Sequence, residues 1–132
     1  MQYADYVARM QRAAALADQG DLDGAVSAFL AIVEADISDL DKANICLNLA
    51  VLTARQQRTE QALGMHDLAI RFEAPHSRYS ARERKAAYLH SLGRTAEART
   101  LYEALLPEPF VLEQDRERYR QTLAALAPPT GS

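Results

Sequence analysis

Tryptophan is absent from this 132-residue chain, cysteine occurs once, and glycine and proline occur five times each. A single cysteine excludes an intramolecular disulfide, and the place of Cys46 in the apolar run Ile45-Cys46-Leu47 marks it as a small core residue rather than a reactive thiol. A reducing compartment, the cytoplasm, is the expected location. No uncharged run exceeds the 12 residues of 43–54, whereas a helix needs about 20 apolar residues to cross a bilayer, so no membrane insertion is expected. The stretch MQYADYVARMQR has no apolar core behind a basic start and lacks the pattern of a secretory signal peptide. Chemistry-bearing motifs are scarce too. There is no glycine-rich phosphate loop and no His-Glu-x-x-His pair, and His66, His76 and His90 stand apart from one another. The expectation is a protein with no catalytic residues, no metal site and no cofactor, and not an enzyme.

What is present is the composition of an ordinary globular domain, 48% hydrophobic and 25% charged. A net charge of −3 gives no reason to expect sequence-independent binding to nucleic acid. The charge is unevenly distributed. Segments 1–20, 38–58 and 77–94 carry 0, +1 and +4, and the segments that follow them, 21–37, 59–76 and 95–108, carry −4, −2 and −2. Arg78, Arg82, Arg84 and Lys85 crowd into one of these segments and would attract an acidic partner, since guanidinium groups recognise carboxylates in paired geometry.

The strongest signal is internal repetition. Tyr6, Ala8, Arg9, Arg12, Ala13, Ala14, Leu16, Gly20, Ala25, Phe29, Ile32 and Val33 match residues of the same or similar type 73 positions later, from Tyr79 to Leu106. A third copy lies between them, with Ala50, Thr53, Ala62, His66, Ala69 and Ile70, so that Ala25, Ala62 and Ala98 are spaced 37 and 36 residues apart. Periods of this size indicate stacked helical units.

Helical periodicity predicts a first helix over 3–18, ended by Gly20 in a left-handed conformation, and a second capped by Asp21. Ser38 and Asp41 form a capping-box pattern for a third helix ending near Gln56. The turn Arg55-Gln56-Gln57-Arg58 has no glycine where the other copies have Gly20 and Gly93, so it is expected to be the least regular of the three. Thr59 and Thr95 are predicted caps, Pro75 a terminator, and the third pair is expected to begin near Ser77. A seventh helix is predicted over 110–126, with Val111, Leu112, Tyr119, Leu123 and Leu126 on its apolar face and its other face densely charged. Residues 128–132 read as a flexible tail.

These residues together resemble the tetratricopeptide repeat (TPR) family. A small residue midway along the first helix, a glycine at the turn, then alanine, aromatic and apolar pair are met by Ala13, Gly20, Ala25, Phe29 and Ile32-Val33. The second copy offers Ala50, Ala62, His66, Ala69-Ile70 and Pro75, and the third offers Ala86, Gly93, Ala98, Tyr102 and Leu105-Leu106. Arg9, Arg12, Arg82 and Lys85 depart from the family's large apolar residues early in the first helix. With His66 in an aromatic's place, the middle copy is expected to pack less well.

The resemblance implies an all-α, right-handed α-α superhelical solenoid. It would be a single domain over 1–127, with repeats at about 3–37, 38–76 and 77–108 and a capping helix at about 110–126. It also implies a concave groove lined by the first helices: Val7, Met10, Gln11 and Ala14, then Asn44, Leu47, Asn48, Val51 and Arg55, then Ser80, Glu83, Arg84, Ala87 and His90. Asn48 and Arg84 fall on two places of the clamp by which some members hold a terminal carboxylate. Met10, Ala14 and Ser80 stand in the others, so the clamp is incomplete. The implied function is protein–protein interaction as an adaptor or chaperone-like module, with a protein or peptide partner that carries an acidic segment as one candidate. A self-associating scaffold, a homo-oligomer built through Tyr3, Tyr6 and 13–17, is the alternative.

Overall fold

Amphipathic repetition resolves into seven α-helices in the computed structural model, which describes residues 1–126; no strand occurs among the described residues. They are α1 (Tyr3–Asp18), α2 (Leu22–Val33), α3 (Asp39–Arg55), α4 (Thr59–Glu73), α5 (Ser80–Ser91), α6 (Thr95–Leu105) and α7 (Glu113–Leu126), with a short 3-10 turn at Ala74–His76. The fold is therefore all-α. The expected tail at 128–132 lies outside the described residues. The chain divides into two compact units, Met1–Pro75 and His76–Ser132.

In the first unit α1 packs on α2, α2 on α3, and α3 on α4. In the second, α5 packs on α6 and α6 on α7. Burial follows the sequence repeat. Ala13, Ala50 and Ala86 are buried at the middle of the first helix of each pair, Ala25, Ala62 and Ala98 early in the second, then Phe29, His66 and Tyr102, then Ile32, Ala69 and Leu105. Alanine suits the first two positions because a larger side chain would hold the two helices apart.

The three turns within the pairs are the clearest mark of repetition. Gln19, Gly20 and Asp21 donate to the carbonyls of Ala15, Ala17 and Leu16. Gln56, Gln57 and Arg58 donate to Leu52, Ala54 and Thr53, while Leu92, Gly93 and Arg94 donate to Tyr88, His90 and Leu89, all nine bonds being 2.9–3.1 Å long. The glycine-free turn is thus not the least regular, as its sequence suggested. Gln57 takes φ 62°, beside 84° at Gly20 and 78° at Gly93. The backbone hydrogen bonds compel the left-handed conformation there, at a cost of about 1–2 kcal/mol for a residue with a Cβ.

Other sequence expectations need correcting. Thr59 and Thr95 are not caps: each is the first helical residue, and Arg58 and Arg94 occupy the cap positions without a side-chain capping bond. Arg94 instead pairs with Glu97 through Nε and Nη2 at 2.7 and 2.9 Å. Asp21 and Ser38 do cap, accepting from the Gly24 and Asp41 N–H groups at 2.9 and 3.2 Å. Pro75 does follow the end of α4, which stops at Glu73, and lies within the 3-10 turn, whereas Ser77 at φ 54° delays the start of α5 to Ser80. The middle pair is not poorly packed. Helix α3 buries Ala43, Ile45, Cys46, Leu47, Leu49, Ala50, Leu52 and Thr53, because it is covered by both α2 and α4.

Helix α7 begins at Glu113, three residues later than predicted. Arg116 explains the delay: its guanidinium donates to the carbonyls of Leu106 and Glu108 at 2.8 and 2.9 Å, holding the preceding segment as a non-helical turn. Val111 is buried, but Leu112 is 57% exposed and does not belong to an apolar face.

Candidate functional site

The exposed side of α1 is small and polar because Ala14 and Ala17 follow Met10 and Gln11 at helical spacing. On α3, Asn48 and Val51 project one turn apart. Between them lies an open hollow of about 410 Å3, lined by Met10, Gln11, Ala14, Ala17 and Asp18 of α1, Phe29 of α2, and Asn48, Val51 and Leu52 of α3. Phe29 and Leu52, both buried, form its floor. Val51 is 45% exposed at the rim of this hollow. Gln11, Asn48 and Asp18 bring two amides and a carboxylate to this lining, and all three are exposed.

Five of the sequence-predicted groove residues, Met10, Gln11, Ala14, Asn48 and Val51, therefore meet at one hollow. Val7, Asn44 and Arg55 do not line it, although Asn44 and Arg55 are exposed on α3. Leu47 is buried, which removes it from any binding surface. Residues 17, 18, 29 and 52 were missed by the sequence reading. Ala17 and Asp18 simply continue the stripe of Met10 and Gln11 by two turns, and the only sequence signal of Phe29 and Leu52 is their hydrophobicity.

In the second unit Ser80 and Glu83 line a separate cavity of about 420 Å3, together with Ser77, Arg78, Tyr79, Phe110, Leu112 and Asp115. Arg84, Ala87 and His90 are exposed on α5 and line neither cavity. The basic cluster expected from sequence is not a single free patch. Arg82 reaches the Glu108 carboxylate at 3.4 Å and lies 5.4 Å from the centre of the Phe110 ring.

Three polar side chains of the second cavity's lining, Tyr79, Glu83 and Asp115, belong to a network of mutual bonds. Tyr79 donates its hydroxyl to Asp115 and accepts from the Leu112 N–H at 3.1 Å. Tyr119 donates to Glu83 at 2.7 Å, and Arg118 bridges Glu83 and Asp115. The hydrogen bonds from Tyr79 and Arg118 hold the Asp115 carboxyl below its ordinary range. Burial raises Glu83, but its bonds from Arg118 and Tyr119 together outweigh this and its pKa is lowered. Burial, then the hydrogen bond to Glu83, pushes the Tyr119 hydroxyl up. These groups brace α7 against α5 and have little capacity left for a ligand.

Elsewhere, burial pushes the Cys46 thiol up to about 11 against the opposing pull of Lys42, so the sulfur is protonated and inert at neutral pH. His66 is buried with Nδ1 3.0 Å from the Ala62 carbonyl, an acceptor to which Nδ1–H donates. No group of three or more His, Cys, Asp or Glu residues suited to a metal ion occurs among the described residues, and no described helix is long and apolar enough to cross a membrane. No protein-family model and no curated protein matches the chain.

Proposed function

We propose that the chain is a protein-interaction module of three TPR-like helix pairs closed by α7, and that the hollow between α1 and α3 holds a segment of a partner protein. The solenoid implied by the sequence resemblance is the architecture this reading adopts, supported by the register of buried residues and the three matching turns. The observation that carries the function is the hollow itself. Its volume of about 410 Å3 lies within the range of ligand sites. An apolar floor suits one or two partner side chains, and the Gln11 and Asn48 amides can each donate and accept, as clasping a peptide backbone requires. The role is adaptor or chaperone-like, and it calls for neither a catalyst nor a cofactor.

Panning the full chain against a displayed library of random 12-residue peptides tests this. The expected result is an enriched consensus with an apolar anchor, whose binding falls at least tenfold in Val51→Asp and measurably in Asn48→Ala, with the thermal midpoint of Asn48→Ala unchanged. Absence of enrichment, or peptides indifferent to both substitutions, overturns the proposal. Self-association is the second reading, favoured by Tyr3, which is 79% exposed with its ring 6.5 Å from that of Tyr6. A concentration series by sedimentation velocity in which Tyr3→Ser abolishes a dimer would favour it.

A further inference from the structure

The repeat sets up an internal experiment on the other side of α1. Arg9 and Arg12, one turn apart and both exposed, line a second hollow of about 230 Å3 with Ala28, Ala31 and Ile32 of α2. Neither guanidinium has an ion pair or hydrogen bond among the described residues. Their equivalents 73 positions later are Arg82 and Lys85, and Arg82 is occupied: the Glu108 carboxylate lies 3.4 Å from it and the Phe110 ring packs beneath it. The residues at the places of Glu108 and Phe110 in the first copy are Ala35 and Ile37. Ile37 packs against the apolar core of the first unit, but Ala35 offers no carboxylate. The hollow also has a local cause. Ala28 stands where the third copy has Leu101 and the second has Met65. In the second copy the places of Arg9 and Arg12 are filled by Cys46 and Leu49, both fully buried. Only the first copy combines two arginines with a small-residue floor.

From this asymmetry we infer that Arg9, Arg12 and the Ala28–Ala31 floor form a second docking site, distinct from the hollow at Asn48, for an acidic peptide segment in which carboxylates flank one apolar side chain. The carboxylates take at Arg9 and Arg12 the place that Glu108 takes at Arg82. The apolar side chain fills the space above Ala28, and a hollow of this size admits one such residue. A single exposed ion pair contributes little, so the two guanidiniums and the floor must act together, and planar guanidinium favours carboxylate in paired geometry.

The test uses the full chain and a fluorescein-labelled peptide, Asp-Asp-Leu-Asp-Asp within a glycine-serine context, read by fluorescence anisotropy. Binding is expected that weakens as salt rises. It should fall at least tenfold in Arg9→Gln/Arg12→Gln, fall severalfold in Ala28→Leu, which fills the hollow and leaves both charges, and stay unchanged in Val51→Asp. A peptide with Asn for Asp should not bind. The inference is overturned if the double variant binds as the wild type does, if Ala28→Leu has no effect, if the Asn peptide binds equally, or if only phosphatidylserine vesicles and not the peptide are retained. Thermal midpoints of all three variants within a few degrees of wild type confirm that the substitutions leave the fold intact.

Discussion

The two units use one repeat pattern but are held by different forces. In the first, α2 and α3 meet over a continuous apolar cluster of Ala13, Ala25, Phe29, Ile32, Ile45, Leu49 and Leu52. In the second, α7 buries only Tyr119 and Leu126, and its hold on the rest comes from Arg116 on backbone carbonyls and from the Tyr79, Asp115, Arg118, Glu83 and Tyr119 network. A helix followed by another repeat can afford an apolar face on both sides, as α3 does. A helix with charge around most of its circumference must instead be attached through specific polar bonds, to which Tyr102 and Tyr119 add a ring pair 5.6 Å apart.

This contrast can be broken from the apolar side first. Phe29→Ala should cost about 3–5 kcal/mol by leaving a cavity in the first unit, measured by urea unfolding, with amide hydrogen exchange accelerated more in α1–α4 than in α5–α7. Ala50→Leu should cost about 1–3 kcal/mol through overpacking at a site that is 1% exposed. A smaller effect separates turn from core. Gln57→Gly should stabilise by about 1 kcal/mol by relieving left-handed strain, and Gly93→Gln should cost a similar amount, in the same assay. The smallest effect, carried by partly solvated groups, sharpens the polar side. Glu83 and Asp115 have folded pKa values below their ordinary 4.5 and 3.8. Their contribution is therefore complete above those ordinary values and is lost as pH falls through the lower folded ones. Thermal melts between neutral and acid pH should show the second unit losing stability in that window, and Glu83→Gln/Asp115→Asn should flatten the dependence.

Much of this organisation was legible in the residues. The span of α1 and the caps Asp21 and Ser38 follow from periodicity and short-range hydrogen bonding, which depend on neighbours in sequence. The misreadings arose where distant groups decide. Gln57 looked unsuited to its turn because glycine is cheaper there, yet three backbone hydrogen bonds per turn outweigh one strained residue. The start of α7 was set by Arg116 and by the Tyr79 hydroxyl on the Leu112 N–H, neither of which leaves a local trace. Leu47 was placed in the groove by register alone. Because α3 is covered on two sides, the exposed arc of that helix is narrower than that of α1, and Leu47 falls inside the covered part. The hollow at Asn48 was half visible: its rim follows the repeat register, while its floor belongs to residues whose only sequence signal is hydrophobicity.

The burial and high thiol pKa of Cys46 also make this chain a ready background for site-directed labelling. A maleimide reagent at neutral pH would leave the native protein untouched. A cysteine introduced at Gln11 or at Arg84, both exposed, would then be the sole reactive position, so that a dye placed at either point reports on one helix face without a cysteine-free variant having to be made first.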